Sequence, residues 1–301
     1  MTANRKLWLH VGLPKTATTA FQSWMQHHSD ALLEQGISYP SHFGAGNDKH
    51  NFLVGDLRQN QTLNRLQGIL QGTAKADHIL LSDEGLTNHL DDFHSDALEA
   101  FRDLTQGWDV HVMLVTRDAD TWLRSYHKQC VLNPNNGASP LWGTGLTVSQ
   151  VADHPRIRRL LAAEILMDDL RAAFGAKEVR RFDFDSNNWF AACLRAINFD
   201  SEGPIELPRT NQSLPDWAIE VLRLVNSSTT SQKIRNAWKV ALQNHLKTDH
   251  TILTNLTDTV ETGLDGNIYE FVLEAINTGS AEAHPEMSTF LGSLQNYSKP
   301  Q

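Results

Sequence analysis

Leu7-Trp8-Leu9-His10-Val11-Gly12-Leu13-Pro14-Lys15-Thr16-Ala17-Thr18-Thr19 is the stretch on which the reading of the fold turns. Its first five residues form a short apolar run broken only by His10, which reads as a buried strand, and Gly12 and Pro14 end it. From Thr18 to Gln35 the residues Ala20, Phe21, Trp24, Met25, Ala31 and Leu32 recur at helical spacing, and Gly36 is well placed to cap the end. A strand that turns straight into a helix presents unpaired backbone N–H groups and the positive end of the helix dipole at the turn. Such a turn favours an anion. Lys15 adds a mobile full charge, and the hydroxyls of Thr16, Thr18 and Thr19 can donate to phosphate oxygens or cap the helix. The order differs from the Walker pattern, because Lys15 precedes the tight stretch and no Mg²⁺-ligating Ser/Thr follows a Gly-Lys pair. An ordinary capped turn with a surface lysine is the competing reading of the same residues.

Working outward, short apolar runs alternate with amphipathic helices. His78 to Ser82 reads as a second strand, followed by a polar turn and a helix around Ser95 to Leu104. Val110 to Thr116 is a third strand that leads through Arg117 into a helix with Trp122, Leu123, Tyr126 and Cys130 on one face. A loop rich in Asn, Gly and Pro runs from Asn133 to Asp153, a length more usual for lids and binding elements than for spacers. Asp153 with Pro155 then begins a helix whose stripe Leu160, Ala163, Met167, Leu170 and Phe174 ends at Gly175. Val179 to Phe184 reads as a fourth strand and Trp189 to Ile197 as a further helix. This alternation specifies an α/β fold with a parallel sheet covered on both faces and ligands at the carboxyl ends of the strands. Beyond about Pro208 the chain reads as helical, with Ser213-Leu214-Pro215 marking a helix start. The expected organisation is an α/β core over 1–207 and a helical portion of the same domain over 208–301, available to both cofactor and substrate sites.

With 301 residues the chain is long enough for one large α/β domain or two small ones, and its 40% hydrophobic content argues against disorder. Its formal charge of −9 makes it a poor match for duplex nucleic acid or anionic lipid through its general field, so any polyanion must be held by a small local positive site. Cys130 and Cys193, the only two cysteines, lack metal-ligand spacing and read as buried reduced thiols, which excludes a disulfide scaffold. The N-terminal apolar run is too short for a signal-peptide core or a membrane span, and the expected location is cytoplasmic.

The order apolar strand, Gly-x-Pro-Lys-Thr-x-Thr-Thr, amphipathic helix resembles the 5′-phosphosulfate-binding loop of sulfotransferases that use 3′-phosphoadenosine 5′-phosphosulfate (PAPS), whose usual form is Pro-Lys-Ser/Thr-Gly-Thr-Thr. Ala17 replaces the common Gly, a small-for-small change that suits a helical backbone at that position. The family also carries an Arg at the end of the third strand and a Ser on the next helix, both gripping the 3′-phosphate. Arg117 and Ser125 resemble that pair in place and spacing. Leu9 to Thr16, Gly36-Ile37-Ser38-Tyr39-Pro40 and Arg209-Thr210-Asn211-Gln212-Ser213-Leu214 look like bacterial members of the family.

The resemblance implies a three-layer sandwich with a central parallel sheet, a P-loop-like sulfotransferase fold, no metal, and PAPS as sulfuryl donor. It implies that Pro14, Lys15, Thr16, Ala17, Thr18 and Thr19 form the cofactor loop, that Arg117 and Ser125 hold the other phosphate, and that Arg209 adds a contact. Lys15 is then the electrophilic helper and Glu84 the base, with Asp83 next and His89 and His50 as alternatives. The expected acceptor is a hydroxyl or amine, with a glycan or glycolipid as the candidate, Trp142 available to stack on a sugar and Arg156, Arg158 and Arg159 to attract an acidic one. A catalytically silent nucleotide-binding protein and a P-loop kinase-like phosphotransferase are the competing functions; acceptor identity and oligomeric state stay open.

Overall fold

β1 (Lys6–His10) is the axis of a five-stranded sheet of order β2-β3-β1-β4-β5, with every neighbouring pair parallel. This computed structural model describes residues 5–40, 49–73, 76–137, 139–200, 214–246, 272, 274 and 285–294. The other strands are β2 (Ile37–Ser38), β3 (His78–Ser82), β4 (Asp109–Thr116) and β5 (Glu178–Asp183). Register fixes the layers, because side chains alternate across the sheet. Trp8 pairs with Leu80 on one side and His111 on the other, while Leu9 pairs with Leu81 and Val112. Both faces of β1 are therefore buried, as a central parallel strand requires.

Trp8, Leu80, Met113 and Val115 pack with Phe21, Trp24 and Met25 of α1 (Thr18–His27) and with Phe190 and Cys193 of α11 (Trp189–Ala196). On the opposite side, Phe101 of α6 (Ser95–Leu104) meets Phe174 of α10 (Ala163–Phe174) at a ring separation of 5.3 Å. Helices thus flank the sheet, an arrangement compatible with a three-layer sandwich. The expected helix over 18–35 is two helices: α1 stops at His27, where His28 leaves helical dihedrals (φ −104, ψ 20) with its Nδ1 bonded to the Trp24 carbonyl at 2.8 Å, and α2 (Ser29–Glu34) follows. Gly36 closes α2 with φ 77, a backbone that favours glycine. The helix expected from Asp153 to Gly175 is likewise α9 (Pro155–Leu161) and α10, separated at Ala162, and His154 rather than Asp153 is the cap, its Nδ1 accepting the Arg156 N–H at 3.3 Å.

β2, α3 (Asn51–Gln59), α4 (Asn64–Gly72) and the short α5 (Gly85–Asn88) carry no counterpart in the sequence reading. α7 (Ala119–Leu132) follows β4, and α8 (Val148–Ala152) lies inside the loop expected from Asn133 to Asp153. The chain divides into two compact units, one of residues 1–122 and 154–210 and one of residues 123–153 and 211–301. The second is helical where described, with α12 (Asp216–Ser228), α13 (Gln232–Leu246) and α14 (Pro285–Leu294) sharing a core of Val131, Trp217, Leu222, Trp238 and Phe290. No helix among the described residues is long and apolar enough to cross a membrane. Cys130 and Cys193 are buried free thiols, and burial pushes the Cys130 thiol up to about 12.

Leu114 lies at the centre of β4 with no exposed surface. Leu114→Ala is expected to destabilise the first unit by about 3 kcal/mol, measured as the shift of the urea midpoint followed by tryptophan fluorescence.

Candidate functional site

The carboxyl end of β1 does not stop at the last paired residue. The Val11 N–H donates to the Met113 carbonyl and the Leu13 N–H to the Val115 carbonyl, both at 2.9 Å, so the chain follows β4 into the turn. Gly12 is needed there, since a Cβ would lie 2.8 Å from Thr16 Oγ1 and 3.3 Å from the Val115 Cβ. Three side chains then pin the turn. Trp122 donates its indole N–H to the Pro14 carbonyl at 2.7 Å, Thr16 Oγ1 donates to the Leu13 carbonyl at 2.6 Å, and Thr87 Oγ1 donates to the Gly12 carbonyl at 3.2 Å.

Held in this way, Lys15 takes φ 70 and Ala17 takes φ 55, both left-handed, while Thr16 between them does not. Ala17 therefore occupies a backbone that favours glycine, not the helical one in which alanine would replace glycine without strain. Alternation of hand along successive residues turns their N–H groups into one concavity, the nest that receives anions. Among the described residues none of the N–H groups of Lys15, Thr16, Ala17, Thr18, Thr19 and Ala20 has a protein acceptor. They stand at the positive end of α1, whose first turn carries no acidic residue. Thr16 is committed to its backbone bond, whereas Thr18 and Thr19 have no hydroxyl partner among the described residues.

Lys15 is exposed and has no carboxylate partner among the described residues. Its ammonium is nevertheless held below a free lysine's value, first by partial desolvation and then by the Arg117 guanidinium. Two cations at adjacent strand ends thus repel one another, and an anion between them would relieve both. Arg117 itself leaves β4 beside a cavity of about 390 Å³ that Leu13, Trp122, Leu160, Arg181 and Asp183 also line. Its nearest acidic neighbour along the chain does not hold it: Asp118 caps α7, accepting the Thr121 N–H at 3.0 Å, and Asp185 accepts from Arg117 Nε at 3.3 Å. Ser125 lies on α7 in the second unit.

At the end of β3 two adjacent acids have different surroundings. Asp83 is 3% exposed; its Oδ1 accepts the Gly85 N–H at 2.6 Å, and its buried Oδ2 has no partner among the described residues. Burial, then the neighbouring Glu84, pushes its carboxyl up to about 6 against the opposing pull of Lys49. Glu84 is half-buried and accepts from Lys49 Nζ and from Gln22 Nε2, both at 3.4 Å. Burial works against the charge of Lys49, but Glu84 and Asp83 together outweigh it and raise its ammonium. Beneath them His10 bonds Ser82 Oγ through Nδ1 at 2.8 Å and stacks on Phe21, and burial lowers it to about 3, so it stays neutral.

The remaining candidates are structural in place. His50 Nδ1 accepts the Ser82 N–H at 3.0 Å, which leaves Nε2 to donate to the Pro40 carbonyl at 2.9 Å; both nitrogens are used against the sheet. His89 bonds Asp92 at 2.9 Å, and Arg156 grips the same carboxylate through both terminal nitrogens while donating to the Asn88 carbonyl. Arg159 pairs with Asp91. Residues 144–146 are fastened inside the second unit by Arg223, Asn226, Ser227 and His127, so this part of the long loop is not a free lid. Trp142 is half-buried in the same segment, and Arg209 lies outside the described residues. Phe184, Asp185, Gln22 and Lys49 are the site residues missed by sequence reasoning; only Lys49, beside the nominated His50, carried a local signal.

No family model matches the chain, and no curated protein matches it in sequence. Among the described residues no group of three or more His, Cys, Asp or Glu side chains is arranged to hold a metal ion.

Left-handed strain at Ala17 costs on the order of 1 kcal/mol, so Ala17→Gly is expected to raise thermal stability or leave it unchanged, and a lower Tm would contradict the loop geometry. For Asp83 the folded carboxyl keeps its proton to about 6 while the unfolded one loses it near 3.8. Stability therefore falls as pH rises across that window and levels off above it. Asp83→Asn removes this slope and is expected to be more stable than the wild type at pH 7, read by urea denaturation from pH 4 to 7.

Proposed function

We propose that the chain is a PAPS-dependent sulfotransferase of the P-loop-like type, moving a sulfuryl group to a hydroxyl or amine acceptor. The observation that carries this reading is the β1–α1 turn, with six open amides and Lys15 beside Arg117 at the next strand end. Support also comes from the sequence pattern of the turn, from the Arg117 and Ser125 spacing and from the all-parallel strand order around β1.

The residues present fit such a donor: a turn of alternating hand with open amides, and a second cation for a second phosphate. PAPS supplies an activated sulfuryl group. The amides of residues 15–20 and the Thr18 and Thr19 hydroxyls bind and orient the 5′ end, while Arg117 binds the 3′-phosphate. Lys15 stabilises the negative charge that gathers on the leaving phosphate oxygen. Glu84 takes the acceptor's proton on a carboxylate oxygen, and Gln22 and Lys49 hold that carboxylate in place. Asp83 is less exposed, has Oδ1 tied to Gly85, and its own carboxyl is raised by burial and then by Glu84. The acceptor is proposed to be carbohydrate-like, with PAPS and acceptor as the small-molecule partners and with no metal.

Calorimetric titration tests the reading. 3′-Phosphoadenosine 5′-phosphate is expected to bind the wild type, with Lys15→Ala and Arg117→Ala each weakening it by about tenfold or more. Tight binding of ATP with Mg²⁺ and none of the bisphosphate would point to a phosphotransferase instead. Transfer from labelled PAPS to a panel of hydroxyl and amine acceptors is expected to fall by about 10²-fold or more in Glu84→Gln; binding without any transfer would indicate a silent nucleotide-binding protein.

A further inference from the structure

Arg117 is held on two sides. Its guanidinium lies over the Phe184 ring with the central carbon 5.1 Å from the ring centre, and its Nε donates to Asp185 Oδ1 at 3.3 Å. The other oxygen of the same carboxylate accepts the Asp118 N–H at 2.9 Å, which ties the residues after β5 to the corner where β4 becomes α7. Asp185 is in turn fixed by its own N–H, which donates to Asp183 Oδ1 at 3.1 Å. The terminal nitrogens of Arg117 take no protein acceptor among the described residues, and Arg117 and Asp185 line the same cavity.

We propose that Phe184 and Asp185 are positioning residues for Arg117, together fixing the plane of its guanidinium so that the terminal pair of N–H groups is presented to an oxyanion. The assignment of that oxyanion as the 3′-phosphate of the nucleotide rests on the sulfotransferase reading; the positioning does not. An arginine side chain gives up considerable rotamer freedom when it forks onto a phosphate, and a side chain already held at Nε and stacked on one face has surrendered most of it beforehand. Using Nε for the tether is what leaves the terminal pair available, because the guanidinium has five donors in one plane. The ring adds attraction for the cation without competing for a hydrogen. Asp185 also places a negative charge beside the phosphate site, a cost that the geometric gain exceeds in this proposal.

The test uses the full-length protein and the variants Asp185→Ala and Phe184→Leu, the second keeping apolar bulk. ¹⁵N NMR of arginine side chains first reads the positioning itself: Arg117 in the wild type is expected to show a slowly exchanging Nε–H and restricted rotation, both lost in Asp185→Ala. Calorimetry then compares 3′-phosphoadenosine 5′-phosphate with adenosine 5′-phosphate, which lacks the 3′ group. Each variant is expected to weaken the bisphosphate by about five- to tenfold and to leave the monophosphate within about twofold, a difference that general destabilisation would not produce. A freely rotating Arg117 in the wild type, or variants that bind the bisphosphate as the wild type does, would overturn the positioning. Equal weakening of both nucleotides would also overturn it, in favour of a structural role. If the wild type binds neither nucleotide but Arg117 is immobilised through Asp185, the positioning stands and the sulfotransferase reading falls.

Discussion

The site depends on a backbone constraint: a turn of a few residues between a central strand and its helix that is made to alternate in hand. Left to their own preferences, Lys15 and Ala17 would avoid positive φ, at a cost of roughly 1–3 kcal/mol each. The Trp122 indole, the Thr87 hydroxyl, the Thr16 hydroxyl and two ladder bonds to β4 hold them there. Each of those contacts is worth about 1 kcal/mol net, so their number, not any single strength, keeps the turn in shape. The open amides and the position of Lys15 follow from that backbone.

Charge is divided between neighbouring strand ends in a chain whose formal total is −9. Lys15 and Arg117 gather positive charge around the ends of β1 and β4. Asp83 and Glu84 gather negative charge at the end of β3, partly balanced by Lys49. Field from the rest of the protein would repel an anion at a distance, yet short-range donors dominate once it reaches the turn, where water is partly excluded. The two kinds of end suit a reaction in which one group leaves with charge and another gives up a proton.

Much of this was legible in the residues. The runs at Leu7, His78, Val110 and Val179 mark four of the five parallel strands, and Gly12 to Thr19 mark the turn from β1 into α1. The two-residue β2 was not legible, because Ile37 and Ser38 are too few to show a period. α4 did carry an apolar pattern, with Leu66, Ile69 and Leu70 buried, among polar residues that drew attention away from it. Ala17 gave no sign of its left-handed backbone, since glycine is the residue that normally announces one. Asp185 is a partner of Arg117 some 68 residues away, and only the pairing of β4 with β5 brings the two together. His50 shows the opposite limit: histidine beside a candidate site suggested chemistry, whereas both its nitrogens serve the sheet.

One helix serves both ends. α1 begins at the β1–α1 turn with Thr18, and Gln22, one turn further on, donates to Glu84 and to Ser82. Four residues of α-helix advance about 6 Å. Loops can breathe, but a helical turn packed through Phe21, Trp24 and Met25 into the core cannot stretch. α1 therefore works as a ruler between cradle and carboxylate, and the reach of any group spanning them is set by the pitch of a helix.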